Sequence, residues 1–546
     1  MRTSTAIGAV LVLAASPLHA EVDLSGFGQV RQVISTNNNL GSGTAGWIET
    51  SVGGNADIQT RRVNGSLNAV VARRFEEFGN INRNYRVNGN ANIIGEVLDD
   101  HVFLTVGGTA QQYDRDLRGF VGGDPDASNG NRVQAYAGYI EPSLIEQFGS
   151  DYDLAASYRL GYTTVDGIDG RAILPGNIGL DGRTNAARGL TDSFSQSANG
   201  SIGSTPGRHK LGIRALGSWM HEDIEQLDQR YTAYSGSALA TYQVDRKLSL
   251  TFQGGYEDIS NTQQSILFDP DTGLPVVGED GEFVADPAEP RRTAFERTGP
   301  FGTAGFRYVP NSRTELSFEG GYRYGDPNFN AFLNYQLGPR TVVSGRFNQG
   351  LSSFGRLLTQ SIDGQLVNVT NINSQQPVNQ CILGVDPITG GCVFDATQAV
   401  LPATFRSRRG ELSIDRTGER LFLRGSLFYY SRGYVDLQQL QVAGEEDVTM
   451  QGFGGSDDNY GARVFAGYDL SDEESVQGGL TYTRSEFALS NGRSDNLLGG
   501  TVSYSKDLGQ SLSLIARGNA TFRLSSGGFG NNDSNYNASV GINYRF

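Results

Sequence analysis

Tyr536-Asn537-Ala538-Ser539-Val540-Gly541-Ile542-Asn543-Tyr544-Arg545-Phe546 ends the chain. Tyr536, Ala538, Val540, Ile542, Tyr544 and Phe546 alternate with Asn537, Ser539, Gly541, Asn543 and Arg545. Successive side chains of a strand point to opposite sides, so this segment has one oily face and one wet face. A soluble sheet hides its oily face against a second layer. A membrane barrel turns it to lipid and leaves the other face to a water-filled lumen.

The same dyads recur upstream. Leu316, Phe318, Gly320, Tyr322 and Tyr324 are set against Glu315, Ser317, Glu319, Gly321 and Arg323. Phe329, Ala331, Leu333, Tyr335 and Leu337 face away from Asn328, Asn330, Asn334 and Gln336, with Phe332 the apolar exception. Val343, Gly345, Phe347 and Leu351 share a face opposite Ser344, Arg346, Asn348 and Gly350. Leu421, Leu423, Gly425, Leu427 and Tyr429 repeat the pattern, as do Leu512, Leu514, Ala516, Gly518, Ala520 and Phe522. Mean hydropathy is −0.35, and past the N-terminus no apolar run approaches the ~20 residues that a transmembrane helix needs. The 73 Gly, 28 Phe and 24 Tyr suit short amphipathic strands joined by polar turns.

The connections test this reading, since a barrel of this class alternates short turns at one rim with longer loops at the other. Counted back from Phe546, short turns fall at 507–510, 470–473, 415–419, 338–340, 310–313 and 245–247, then near 203–209, 98–101 and 58–61. Long connections intervene at 523–534, 486–494, 431–459, 354–402 and 259–296, with Gly325-Asp326-Pro327 a short exception. The expectation is an all-β, antiparallel up-and-down transmembrane barrel of about 22 strands, bounded between 16 and 22, with both termini periplasmic. It forms one domain, residues 21–546.

Residues 1–20 read as a cleaved signal peptide: Met1 and Arg2 give a positive start, Ala6 to Ala15 an apolar run, and Ser16 to Ala20 a small-residue cut. No Cys lies near the cut to carry a lipid anchor. Losing Arg2 takes the basic count from 44 to 43 against 59 acidic residues, which disfavours nucleic acid as a partner. Asp269, Asp271, Glu279, Asp280, Glu282, Asp286 and Glu289 crowd one outer loop, where divalent cations could bridge them to lipopolysaccharide phosphates. Their spacing matches no EF-hand, and no metal site is assigned.

On the wet faces lie Arg323, Arg346, Arg424, Arg517 and Arg545 with Glu315 and Glu319. Such groups either brace the barrel as ion pairs or select a solute. Cys381 and Cys392 share the longest outer loop, where an oxidising compartment favours a disulfide. His221-Glu222-Asp223 offers an acid–histidine neighbourhood near the outer rim, whereas His101 and His209 fall in turns. No Gly-x-Ser-x-Gly elbow or phosphate-cradling loop accompanies them. The chain is read as a non-enzyme without cofactor.

Two resemblances add to this. The Tyr544-Arg545-Phe546 end resembles the C-terminal signature by which the barrel-assembly machinery recognises outer-membrane barrels. Trp47 to Asp116, and Gly302 to Arg356 with its turns Val309-Pro310-Asn311-Ser312-Arg313-Thr314 and Gly338-Pro339-Arg340-Thr341, resemble the outer-membrane β-barrel family associated with exopolysaccharide and exosortase (PEP-CTERM) loci. That resemblance implies a barrel without a plug that serves as the exit for a secreted polysaccharide, with a periplasmic polysaccharide-export protein as partner. A gated receptor of the TonB-dependent kind would carry a plug before its barrel, whereas strand-like alternation here starts at Val22. The expected function is a passive conduit for exopolysaccharide. A general or sugar-selective porin, or a surface adhesion barrel acting through its acidic loops, are the alternatives.

Overall fold

The computed structural model describes residues 21–37, 43–79, 84–114, 132–149, 151–166, 192–207, 209–225, 228–265, 284–353, 405–434, 455–487, 494–526 and 532–546, with residues 267, 269, 270 and 276 between them. Residues 1–20, read as a signal peptide, with Cys381, Cys392 and the acids Asp271, Glu279, Asp280 and Glu282, lie outside the described residues.

Among the described residues, twenty-two strands form one antiparallel sheet. They are β1 (Glu21–Asn37), β2 (Gly43–Gln59), β3 (Val63–Phe78), β4 (Tyr85–Leu98), β5 (Val102–Asp114), β6 (Arg132–Phe148), β7 (Tyr152–Asp166), β8 (Asp192–Ser204), β9 (Leu211–Ile224), β10 (Gln229–Gln243) and β11 (Leu248–Gln263). The second half comprises β12 (Arg292–Asn311), β13 (Thr314–Arg323), β14 (Asp326–Gly338), β15 (Thr341–Ser352), β16 (Phe405–Thr417), β17 (Leu421–Tyr434), β18 (Gly455–Asp469), β19 (Glu474–Glu486), β20 (Ser494–Asp507), β21 (Leu512–Ser526) and β22 (Asp533–Arg545). Each strand pairs with its sequence neighbour, and β22 pairs β1 from Phe27–Arg545 to Asn37–Asn535, which closes the sheet. Closure removes the exposed edges that a sheet in lipid cannot leave unpaired.

The ends of the described chain, Glu21 and Phe546, lie at one rim, here the terminal rim, where every connection is short. The expected turns are found there within a few residues, at 418–420, 339–340, 312–313 and 508–511 for example. A further turn, at 149–151, completes the even count. The turn at 244–247 shows how these are built. The Asp245 carboxylate accepts the backbone N–H groups of Lys247 at 2.7 Å and Leu248 at 2.9 Å. Those two bonds hold its pKa below the ordinary carboxylate value. A depressed carboxylate pKa adds stability above the unfolded value of about 3.9, and that contribution fades as pH falls through the folded value. The Leu248 amide should therefore lose hydrogen-exchange protection on acidification through that window. An Asp245→Asn chain should show no such step, and equal pH profiles for both would refute the assignment.

Outward side chains obey the alternation. Val30, Ile34, Val464, Leu480, Val502, Val540 and Ile542 are all exposed on the outside. Aromatic rows bound them: β10 carries Tyr234 and Tyr242, β18 Tyr460 and Tyr468, and β22 Tyr536 and Tyr544, each pair eight residues apart. At ~3.3 Å per residue and a strand tilt near 40°, that gives an apolar belt about 20 Å tall. At the far rim the outward row turns polar. Tyr429 Oη donates to Asp458 at 2.8 Å, Tyr460 Oη to Glu486 at 2.9 Å, and Tyr482 Oη to Asn496 at 2.8 Å. Amphipathic rings with one wet end suit that level.

One expected orientation is corrected, and one residue keeps its face in unexpected surroundings. Tyr324 is not on the outward face with Tyr322. It forms a two-residue turn with Gly325, at φ 58° and 80°, one residue earlier than the expected Gly325-Asp326-Pro327, and Asp326 and Pro327 belong to β14. The left-handed turn that a tight hairpin needs swings the Tyr324 ring toward the lumen. Leu351 keeps the face of Val343 and Phe347 but is only 5% exposed and packs on lumen-facing Tyr231 and Ile259. The end of β15 leaves the wall.

Candidate functional site

The inner wall is polar, and on several strands its exposure is graded along the barrel. On β1 the inward Asp23 and Ser25 near the terminal rim are exposed, whereas Gln29, Arg31 and Ser35 toward the far rim are buried. β11 shows the same gradient, ending in buried Glu257, Ile259 and Asn261. On these strands the wall is open toward the terminal rim and covered toward the far one, whereas the inward row of β22, from Asn535 to Asn543, is buried along its length.

Its most concentrated charge lies on β1–β4. Arg31, Glu49 and Arg74 stand opposite one another in register, with Arg86 on the next strand. Glu49 is 1% exposed. Its Oε1 accepts Arg31 Nη2 at 2.7 Å and Arg86 Nη2 at 3.0 Å, and its Oε2 accepts Arg74 Nε at 3.0 Å. Trp47, fully buried against Val33 and Ala45, lies beneath the Arg74 guanidinium at 5.1 Å. Removing so many charges from water is costly unless hydrogen bonds and opposite charge replace the hydration. Here both are present on the same strands.

A guanidinium stacked on an inward ring recurs around the wall. Arg159 lies 4.1 Å from the centre of the Tyr139 ring and pairs with Glu141. Arg323 lies 4.6 Å from Phe301 and 4.9 Å from Tyr324. Arg409 covers Tyr430 at 5.5 Å, and Arg463 covers Phe428 at 3.9 Å. The rings of Tyr139, Phe301, Tyr430 and Phe428 are buried, and that of Tyr324 is half-buried. Each of these aromatics is thus capped, so at these positions the lumen meets planar cations in place of oily rings, at a gain from cation–π contact of about 0.5–2 kcal/mol per stack.

The residues expected to line the lumen all belong to inward rows, in different settings. Arg323 donates to buried Glu257 at 3.4 Å. Arg424 pairs with Asp415 on β16, and Glu315 accepts Arg307 Nε at 2.8 Å. These three are bracing contacts. Arg346 is exposed on β15, opposite Glu411 and Phe332 in register. Glu319 lies half-buried between Gly305 and Asn330. Arg517 stands between Ser503 and Ser539. Arg545 is exposed at the terminal rim, its backbone N–H on Ser511 O at 2.7 Å. No single pocket gathers them.

Sequence reasoning missed Glu49 with its three arginines and missed Glu257, and it read Glu222 only beside His221, not as a buried lumen carboxylate. Each sits at an inward position of a strand, but only the register across neighbouring strands brings them together. Alternation also separates the histidine neighbourhood. Glu222 is buried in the lumen, whereas His221 and Asp223 lie on the outer face. There His221 Nε2 is 3.0 Å from Asp223 Oδ2, its Nδ1 is 3.1 Å from Thr232 Oγ1, and Trp219 stacks on it at 6.4 Å. The three residues do not form one constellation.

No protein-family model matches the chain, and no curated protein matches it. The PEP-CTERM resemblance is therefore not reproduced by comparison. Solved structures similar to it include the siderophore receptor PiuA from Acinetobacter baumannii, with 9% identity over 95% of this chain and 82% of that one at a TM-score of 0.46. The ferric-catecholate import receptor Fiu from E. coli K12 in its open form has 8% identity over 95% and 81%, at a TM-score of 0.47. The copper transporter OprC has 9% identity over 95% and 80%, at 0.37. Similarity at this level says nothing of what enters the lumen.

Proposed function

We propose that this chain is an outer-membrane channel whose lumen conducts a hydrated, anionic polysaccharide out of the cell. The observation that carries the reading is the inner wall, where guanidinium groups cap buried aromatic rings while the outer wall is an apolar belt between tyrosine rows. Planar guanidinium stacks on sugar faces and pairs with carboxylates, and many weak contacts of that kind hold a polymer without stopping it. In this reading the terminal rim faces the periplasm and presents its short turns to a polysaccharide-export protein. The polar row at the far rim meets lipopolysaccharide headgroups, outer-membrane lipid surrounds the apolar belt, and Tyr544 and Phe546 are read by the barrel-assembly machinery. No catalytic role or cofactor is assigned.

The covered far ends of β1 and β11 favour a second reading, a sugar-selective diffusion porin, because a filled far mouth limits what passes by size. Deleting the gene separates the two. Export predicts loss of secreted polysaccharide with accumulation in the periplasm, restored by the intact gene. Unchanged secretion, with slowed uptake of small sugars, would sink the export reading and leave the porin.

A further inference from the structure

The β13–β14 hairpin is the shortest far-rim connection among the described residues, and its neighbours outrun it. β15 pairs with β14 only as far as Phe347–Ala331, then continues to Ser352 on β16 alone. From that point its outer face turns against the inner face of β9–β11. Leu351 packs on Tyr231 and Ile259, with Met220, Ala233, Phe295 and Tyr324 around them. Two residues on, and on the same face, Ser353 Oγ donates to Glu222 Oε2 at 2.6 Å. Along the wall β15 stands six strands from β9, roughly 30 Å at ~4.8 Å per strand. The bond can form only if the strand end lies inside the barrel.

Two buried carboxylates fix that position. Glu222, with no exposed surface, also accepts Ser193 Oγ at 2.7 Å. Glu257, 2% exposed, accepts the Tyr324 backbone N–H at 2.6 Å and so holds the hairpin turn. Opposite Leu351, Arg406 donates to Tyr324 O at 3.1 Å and pairs with Asp326. Apolar packing alone would let one sheet slide over the other, whereas these directional bonds set a register. The opposite face of this leaf, with Asn348, Gly350, Ser407 and Arg409 in register, is left toward the lumen.

Resting on the channel reading, we propose that this tucked leaf, the end of β15 with the start of β16, is the constriction that sets the size of what passes. Stacked sheets lie about 10 Å apart, so the leaf takes about that much from the far mouth on the β9–β12 side. It passes an extended, chain-like polymer past Asn348 and Arg409 and excludes bulky or branched ones.

The test uses the full chain in planar bilayers with neutral polyethylene glycols of graded size. Leu351→Asp and Glu222→Ala should raise the unit conductance about two-fold and admit larger glycols, and Ser353→Ala should do so more weakly. Placement is tested separately, with Glu222→Cys and Ser353→Cys on a Cys381→Ser/Cys392→Ser background. A thiol cross-linker shorter than about 10 Å should join them in the folded barrel, which a β15 lying in the wall forbids. Failure to cross-link in a folded barrel overturns the tuck, including where Leu351→Asp does not fold. Cross-linking with an unchanged exclusion size in Glu222→Ala and Ser353→Ala overturns the leaf as constriction. Folded, cross-linked protein that never conducts, in any variant, overturns the channel reading itself.

Discussion

Removing Phe546 is expected to cut the yield of folded barrel in the membrane by about ten-fold, because this residue completes the seam that makes the sheet a barrel. Its N–H donates to Gly26 O and its carbonyl accepts the Gly26 N–H, both at 2.9 Å. Its ring lies over the Gly26 backbone, where a Cβ would stand 2.5 Å from it, and packs at 6.2 Å on Tyr544. Deletion loses two backbone bonds and the ring contact, a cost of about 2–4 kcal/mol to a seam that no other strand can replace. It also removes the residue that the resemblance assigns to the assembly machinery. Gly26→Leu displaces the ring but keeps the terminal Phe, so it should lower the stability of refolded protein more than delivery to the machinery. Heat-modifiable migration of membrane fractions and of refolded protein measures both effects. Normal yield without Phe546 would refute the seam argument.

Glu49→Ala should destabilise the barrel by roughly 3–5 kcal/mol, the range for removing one partner of a buried ionic cluster. Arg31, Arg74 and Arg86 share this carboxylate, and each is less than a tenth exposed. Without it, mutual repulsion adds to the lost hydrogen bonds. Glu49→Gln keeps an acceptor oxygen and should cost less. Glu315→Ala provides the contrast: the Arg307–Glu315 pair is largely solvated, with side chains 58% and 35% exposed, and its removal should cost less than about 1 kcal/mol. Denaturant titration of refolded protein measures all three, at a constant dependence on denaturant concentration. Equal midpoints for Glu49→Ala and Glu315→Ala would show that the cluster is not cohesive.

The architecture was legible because a strand with period-two polarity carries its own orientation. Tyr536 to Phe546 has only one way to face lipid, and counting back from it set the strand number. Arg323 and Arg424 were legible as inward residues for the same reason. Alternation gives a face but not a partner. Arg31, Glu49 and Arg74 meet only because β1, β2 and β3 pair in one register, and nothing local to any one strand announces it. Tyr324 was misplaced, and the surroundings of Leu351 were not foreseen, at points where the wall stops being a single layer. The face of Leu351 was read correctly, but what that face meets depends on where β14 ends. Sequence periodicity does not record how far a neighbouring strand extends.

Single-channel recording of the refolded chain of residues 21–546 in a planar bilayer, with carboxylated and neutral oligosaccharides of equal length added to each side, tests the central claim most directly. An arginine-capped lumen predicts stable conductance steps that carboxylated sugars block at lower concentration than neutral ones, with the difference shrinking as salt rises. Steps indifferent to both sugars, or a folded barrel that never conducts, would contradict it.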